Sequence, residues 1–152
     1  HKLYYHKLKE PQSKDKLIFG EEIKRRYVGG YVTEDQRYLF ISAANSTSGN
    51  ELYFIDLNSK ERTIVSLQSG FDYDLDVLDT EGNYAIASTN KDAPTVRVVR
   101  IDLQNPTKPW KTIIEATDNV LSASTGGGFI FASYLKDANT AVFKYDYSGN
   151  YI

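Results

Sequence analysis

Short apolar stretches separated by polar turns make up nearly the whole chain. Three of them share one pattern, in which an aromatic residue is followed by three apolar residues and a serine: Tyr38–Ser42, Tyr84–Ser88 and Phe129–Ser133. No window of helical length carries apolar residues at the i, i+3, i+4, i+7 spacing of an amphipathic helix. Only Glu21–Arg26 could form a single helical turn, with one apolar residue to anchor it. The pattern therefore predicts an all-β chain.

The strands recur with a period of about 45 residues. Tyr84 follows Tyr38 by 46 positions, and Phe129 follows Tyr84 by 45. A second set of strands repeats at nearly the same interval, each with an aspartate near its end: Asp56, Asp102 and Asp146. One further strand precedes each pair and another follows it. Four short antiparallel strands in a unit of 40–50 residues are typical of a β-propeller blade.

The repeat divides the chain into two complete blades and two partial ones. The complete blades span residues 27–69 and 70–116, and the partial blades span 1–22 and 120–152. Closed propellers need about four to eight blades. We therefore expect an arc of a larger propeller, with a compact sheet protein of another kind as the less favoured alternative. An open arc leaves apolar faces and strand edges unpaired, which predicts self-association when it is isolated.

Composition excludes several classes of function. The chain has 18 Lys+Arg and 20 Asp+Glu, a net charge of −2, so we expect no nucleic-acid partner. No apolar run approaches the 18 or so residues that cross a membrane, so we expect no membrane partner. The absence of cysteine excludes disulfides and thiolate chemistry and leaves the compartment open, cytoplasmic or periplasmic. Because the chain starts at His1 and contains no methionine, we expect a processed chain or a fragment.

The residues that could carry catalysis are few. There is no Gly-x-Ser-x-Gly motif, and the only histidines are His1 and His6. His6 alternates with its neighbours along a predicted strand and is interpreted as structural or solvent-facing. Gly126–Gly128 lacks the following Lys-Ser/Thr of a phosphate-binding loop and is interpreted as a tight hairpin turn. We therefore expect no catalytic residue and no cofactor in this chain.

Recurrent carboxylates could suggest a metal site. Asp56, Asp102 and Asp146 occupy equivalent positions on different blades, too far apart to converge on one ion. They are interpreted as strand-end caps of the following turns. An acidic run of alternating residues, Asp72, Asp74, Asp76 and later Asp79, indicates a strand with one polar face, with a cation site as the minor alternative. We expect no metal ligands.

Several motifs in order resemble the prolyl oligopeptidase family. Val28-Gly29-Gly30 followed by Thr33–Tyr38 is similar to the family's "GG…S-DGRY" blade start. The other matching segments cover most of the chain: Leu3–Leu8 with Pro11–Asp15, Asn50–Leu57, Asp72-Tyr73, Thr89–Pro94 and Arg97–Asp102. Lys9-Glu10 departs from the family's usual Gly-Thr.

The resemblance implies the middle of a seven-bladed propeller that covers an α/β-hydrolase domain in a serine peptidase. The family cleaves short oligopeptides after proline, and its catalytic triad lies in the hydrolase domain. The chain would then be non-catalytic, with the remaining blades and the hydrolase domain as its partners. Residues carried over as substrate-binding are Val28 and, in a loop of different length, Thr47. Ordinary packing is the alternative for these two residues, and a freestanding ligand- or protein-binding propeller is the alternative for the chain.

Overall fold

A computed structural model describes residues 1–152 and confirms the all-β, partial β-propeller expectation. Thirteen strands form four antiparallel sheets. The first sheet contains β1 (Leu3–Tyr5) and β2 (Lys16–Phe19); the second contains β3 (Tyr27–Val32), β4 (Tyr38–Ala44), β5 (Glu51–Asp56) and β6 (Val65–Gln68). The third contains β7 (Leu75–Glu81), β8 (Tyr84–Thr89), β9 (Arg97–Asp102) and β10 (Lys111–Ile114), and the fourth β11 (Leu121–Gly126), β12 (Phe129–Lys136) and β13 (Asn139–Asp146).

The chain divides into two compact units. His1–Phe71 contains the first and second sheets, and Asp72–Ile152 contains the third and fourth. In the second and third sheets, four consecutive strands pair with their neighbours in chain order, which is the meander expected of a propeller blade. A 3-10 helix of three residues, Gln12–Lys14, lies between β1 and β2, and no helix of the chain is long and apolar enough to span a membrane.

The three repeated aromatic stretches are confirmed as strands, within β4, β8 and β12. The possible helical turn over Glu21–Arg26 is wrong, because the structure has bends and irregular backbone there. Its one apolar residue, Ile23, packs instead against the core of the first unit. A short helix needs tertiary packing of an apolar face to offset its nucleation cost, and a single side chain supplies too little.

The core of the first unit lies between its two sheets. Ile41 of β4 stands opposite Tyr53 of β5, so both side chains project from the same face of the second sheet. Phe19 of β2 packs against this face, and its ring lies 5.1 Å from that of Tyr53. Period-2 alternation along β4 and β5 thus supplies the apolar face that the first sheet covers.

The core of the second unit is built in the same way from its two sheets. Ile86 and Val98 of the third sheet are fully buried and pack in one cluster with Ile130 of the fourth. Tyr147, just after β13, completes the cluster with its ring buried. The hydroxyl of Tyr147 therefore needs a polar partner inside the protein.

A β-bulge in β7 provides that partner. The register with β8 shifts between Val77 and Asp79, so the alternation of the acidic run breaks at Leu78. Asp79 accepts a hydrogen bond from the Tyr147 hydroxyl, and Thr125 Oγ1 donates to the Leu78 carbonyl at 3.1 Å. Burial and the bond to Asp79 both raise the pKa of the Tyr147 hydroxyl. Tyr147 therefore remains a hydrogen-bond donor through neutral pH and joins the third and fourth sheets.

Replacing Tyr147 by phenylalanine should remove this donor and keep the ring. Hydrogen bonds to charged groups contribute about 1.5–3 kcal/mol, and we expect a loss of that size in the free energy of unfolding measured in urea. Tyr151→Phe is the control, because that ring is 69% exposed. Equal stability of the two variants would show that the bond to Asp79 contributes nothing.

Glycines make the predicted tight turn before β12. Gly126 pairs with Phe129, which leaves a two-residue loop of Gly127 and Gly128. Both have positive φ, +58° and +80°, as a type I′ hairpin requires. The hairpin interpretation of the triple glycine is confirmed.

Candidate peptide-contact region of the second sheet

Val28 lies on β3, the first strand of the second sheet. It pairs with Ala43 of β4, and its side chain packs against the apolar cluster that contains Phe19 and Ile41. Val28 is partly buried rather than exposed. The structure thus gives Val28 a packing role whether or not it contacts a ligand.

Thr47 lies in the exposed loop that joins β4 to β5. This loop and the start of β3 occupy the same end of the sheet, because Tyr27 pairs with Ala44. The Arg26 N–H donates to Asn45 Oδ1 at 3.2 Å and ties the loop to the segment before β3. Val28 and Thr47 therefore belong to one end of the sheet but do not line a common cavity.

A small, mainly apolar cavity of about 270 Å³ opens beside β3. It is lined by His1, Tyr27, Val28, Gly29, Ser42 and Ala44. Gly29 leaves the cavity open, since a Cβ there would meet no atom within 4 Å. The Ser42 hydroxyl is one polar group in this wall, and Asn50 Nδ2 donates to it at 3.2 Å. The cavity can accept one apolar side chain or a short backbone segment.

A buried ion pair holds this end of the sheet together. Arg25 donates to both carboxylate oxygens of Glu51, from Nε at 2.7 Å and from Nη2 at 2.8 Å. The Glu51 side chain is only 7% exposed, and that of Arg25 is 24% exposed. The Arg25 guanidinium also lies 5.3 Å from the Phe71 ring centre. The pair thus joins the segment before β3, the start of β5 and the end of the first unit.

The electrostatics of this pair favour its charged form. The hydrogen bonds from Arg25 lower the pKa of the Glu51 carboxyl below its usual value, despite the opposing effect of burial. Burial, followed by the bond to Glu51, raises the pKa of Tyr53 to about 12. Sequence reasoning missed this cluster, because its two charged residues are 26 positions apart and follow no repeat.

The acidic run before and along β7 is held largely by the protein itself. Asp74 accepts a hydrogen bond from Asn90 Nδ2 at 3.0 Å, and its N–H donates to Asn90 Oδ1 at 2.7 Å. Asp76 keeps an exposed surface, yet neighbouring protein atoms and then the Asp74 charge raise the pKa of its carboxyl. Within residues 1–152, no three His, Asp or Glu side chains come together to hold a metal ion.

The strand-end aspartates cap the turns that follow them, as predicted. Oδ1 of Asp56 accepts from the Asn58 N–H at 2.9 Å, and Oδ1 of Asp102 from the Gln104 N–H at 3.0 Å. In the fourth sheet, Oδ1 of Asp146 accepts from the N–H groups of Ser148 and Asn150. These bonds are the Asx-turn arrangement, so the capping interpretation is confirmed.

The two histidines make separate contacts, at opposite ends of β1. His6 Nδ1 lies 2.6 Å from Asp15 Oδ1 with its ring partly exposed, which confirms its structural interpretation. The backbone nitrogen of His1 donates to the Arg25 carbonyl oxygen at 2.7 Å.

Comparison with known proteins identifies the fold family. The model of the prolyl oligopeptidase N-terminal β-propeller domain matches residues 1–152. This chain belongs to that family. This chain is 47% identical to prolyl endopeptidase of Elizabethkingia meningoseptica over 154 residues. It is 45% identical to prolyl endopeptidase of Elizabethkingia miricola over 155 residues. Both alignments cover 100% of the chain and 22% of the relative, so the chain spans about a fifth of their length.

Solved structures of related proteins superpose on this chain and agree with the family assignment. A prolyl endopeptidase structure, from a study of inter-domain dynamics in catalysis and specificity, superposes with a TM-score of 0.88 at 26% identity. Prolyl oligopeptidase B of Galerina marginata, bound to a 35mer hydrolysis and macrocyclization substrate, gives 0.85 at 20% identity and supports the fold alone. Each covers 98% of this chain and 22% of the other.

Proposed function

We propose that the chain is a non-catalytic part of a propeller that controls access in a serine peptidase cleaving short peptides after proline. The observation that carries this proposal is the family match over the whole chain together with 45–47% identity to two prolyl endopeptidases. The 152 residues contain no nucleophile elbow. Catalysis in such a protein would depend on a hydrolase domain elsewhere in the polypeptide.

The same proposal names the partners of the arc. Residues 1–22, 27–69, 70–116 and 120–152 would be blades or parts of blades, and further blades would pack on the two terminal ones. The exposed apolar residues Leu135 of β12 and Val142 of β13 project from the same face of the fourth sheet and support this, because a terminal sheet face needs a neighbour to cover it.

At the substrate, we propose that the cavity beside β3 contributes an apolar subsite. Val28 forms part of its wall, whereas Thr47 lies outside that wall and would contact a longer peptide from the exposed loop between β4 and β5. The open position at Gly29 supports this role, since no side chain fills the space in front of the strand.

Assays of the full-length protein test the proposal. We expect hydrolysis of a blocked proline chromogenic dipeptide and of longer proline peptides, with covalent labelling by a serine-directed phosphonate. A full-length protein that shows neither activity nor labelling would favour the alternative, a propeller that only binds ligands or proteins.

Val28→Asp tests the subsite in the same protein. Desolvation of an unpaired carboxylate against an apolar peptide side chain costs about 1–3 kcal/mol, so kcat/KM for long apolar substrates should fall about 5- to 150-fold. The blocked dipeptide should be affected much less, because it does not reach the subsite. Since Val28 also packs in the core, the thermal midpoint is measured alongside, and Val28→Ala provides a variant without charge.

The control for Val28→Asp is Val120→Asp. Val120 lies just before β11, and 65% of this residue is exposed. The Val120→Asp variant should leave both substrates unaffected. Equal losses for long and short substrates in Val28→Asp, with an unchanged thermal midpoint, would contradict the assignment of Val28 to a subsite.

A further inference from the structure

A second cavity lies at the outer edge of the third sheet. It has a volume of about 280 Å³ and is lined by Tyr84, Arg100, Asp102, Lys108, Pro109 and Lys111. The lining side chains come from β8, β9, β10 and the segment just before β10. Three of the six are cations and one is a carboxylate, so the cavity has an excess of positive charge.

Two of the cations face each other across neighbouring strands. Arg100 of β9 pairs directly with Lys111 of β10. Like charges at directly opposite positions destabilise an antiparallel sheet, and a bound anion would reverse the sign of this interaction. The Lys111 ammonium has no hydrogen-bond or ion-pair partner in the protein. No carboxylate of the protein therefore pairs with the Lys111 ammonium to offset its repulsion from the Arg100 guanidinium.

Arg100 is fixed in place and still has donors to offer. Its Nη2 donates to Glu81 Oε2 at 2.8 Å, and its guanidinium lies 4.0 Å from the Tyr84 ring centre. These two contacts hold the planar group in one orientation. Its Nε is buried with no partner, and Nη1 makes no hydrogen bond. A guanidinium held in this way is preorganised to bind an oxyanion.

The carboxylate in the cavity does little to neutralise these cations. Asp102 accepts from the N–H of Gln104 at 3.0 Å and from Asn105 Nδ2 at 2.8 Å, so its oxygens are engaged in the turn. The ammonium of Lys108 forms an ion pair with Asp102 Oδ2 at 3.5 Å, which is at the limit of a hydrogen bond, and 62% of the Lys108 side chain is exposed. Lys108 is thus available to a stronger acceptor.

We propose that this cavity binds a phosphate-type oxyanion between Arg100, Lys108 and Lys111. Arg100 and Lys111 would contact its oxygens from opposite strands, and Lys108 would close the site. The Tyr84 ring and the Pro109 ring form the apolar walls, which fit the ring of an aryl phosphate ester. The proposal is independent of the proposed peptidase function, since it uses only the third sheet.

Calorimetric titration of the full-length protein with sodium phosphate tests the proposal, with sodium chloride of equal ionic strength as the reference. We expect phosphate to give a saturable heat of binding and, in a separate thermal unfolding experiment, to raise the thermal midpoint of the protein. Chloride should do neither. Phenyl phosphate is titrated in parallel. Tighter binding of phenyl phosphate would assign the site to phosphate monoesters, and tighter binding of inorganic phosphate would assign it to the free ion.

Variants at Lys111 locate the binding. Lys111→Gln should weaken phosphate binding by up to about 5-fold, the size expected for one exposed charge contact. Lys111→Glu should abolish it while leaving the protein folded, because the new carboxylate pairs with Arg100. Lys136→Gln, at an exposed lysine in the fourth sheet, should bind phosphate as the wild type does.

Two results would overturn the proposal. One is a phosphate response no larger than that of chloride. The other is undiminished phosphate binding by a folded Lys111→Glu variant, which would place the anion on other cations of the protein.

Discussion

Replacing Arg25 by alanine should lower the free energy of unfolding of the first unit by about 3 kcal/mol, at the lower end of the cost of breaking a buried ion pair. The change leaves the Glu51 carboxylate buried without its two charge-assisted hydrogen bonds. The lower end applies because a quarter of the Arg25 side chain remains in contact with water. Urea unfolding of the full-length protein, read by hydrogen exchange of β3–β6, measures the loss.

The same pair should make stability depend on pH. The hydrogen bonds from Arg25 hold the pKa of Glu51 in the folded protein below its value of about 4.3 in the unfolded chain. The stabilisation is therefore complete above that unfolded pKa and is lost as the pH falls through the folded pKa. Glu51→Gln should be less stable than the wild type at pH 7 and should lose less on acidification.

Glu61→Gln is the matched control, because Glu61 is an exposed glutamate of the same unit and forms no ion pair. It should follow the wild type at every pH. A Glu51→Gln variant with the same acid sensitivity as the wild type would show that Glu51 does not carry this dependence.

The sequence was sufficient for the strands and for most of the turns. Tyr38–Ser42 and Tyr84–Ser88 are short apolar runs bounded by turn residues and repeated at a regular interval, and these signals lie within the sequence itself. Turn chemistry is equally local, and Asp102 and the triple glycine form the bonds and dihedral angles that their residue types favour. The family resemblance was carried by short motifs spread over the chain.

The polar contacts between strands could not be predicted from the pattern within a single strand. The acidic run indicated one polar face, but a bulge at Leu78 turns Asp79 toward Tyr147 of the fourth sheet. Arg25 and Glu51 meet only because β3 and β5 flank the same strand. Such contacts depend on the register of three strands together, which a pattern within one strand does not encode.

Gly49 is the position where the backbone leaves least room for a side chain. It has a φ of +72°, and a Cβ there would lie 1.8 Å from the carbonyl oxygen of Phe71. Gly49→Ala would have to adopt the left-handed region, at about 1–2 kcal/mol, and push backbone apart, at about 1–3 kcal/mol. We expect a loss of roughly 2–5 kcal/mol in the free energy of unfolding of the first unit.

Gly29→Ala tests whether that loss is specific to the close approach. A Cβ at Gly29 meets nothing within 4 Å, and its φ is not in the left-handed region, so this variant should unfold like the wild type. Because Phe71 also contacts Arg25, Gly49→Ala and Arg25→Ala should be non-additive when combined. Once the added methyl group of Gly49→Ala displaces the Phe71 segment, loss of the guanidinium over the Phe71 ring should cost less than it does alone. Strict additivity would mean that the two residues hold this segment independently.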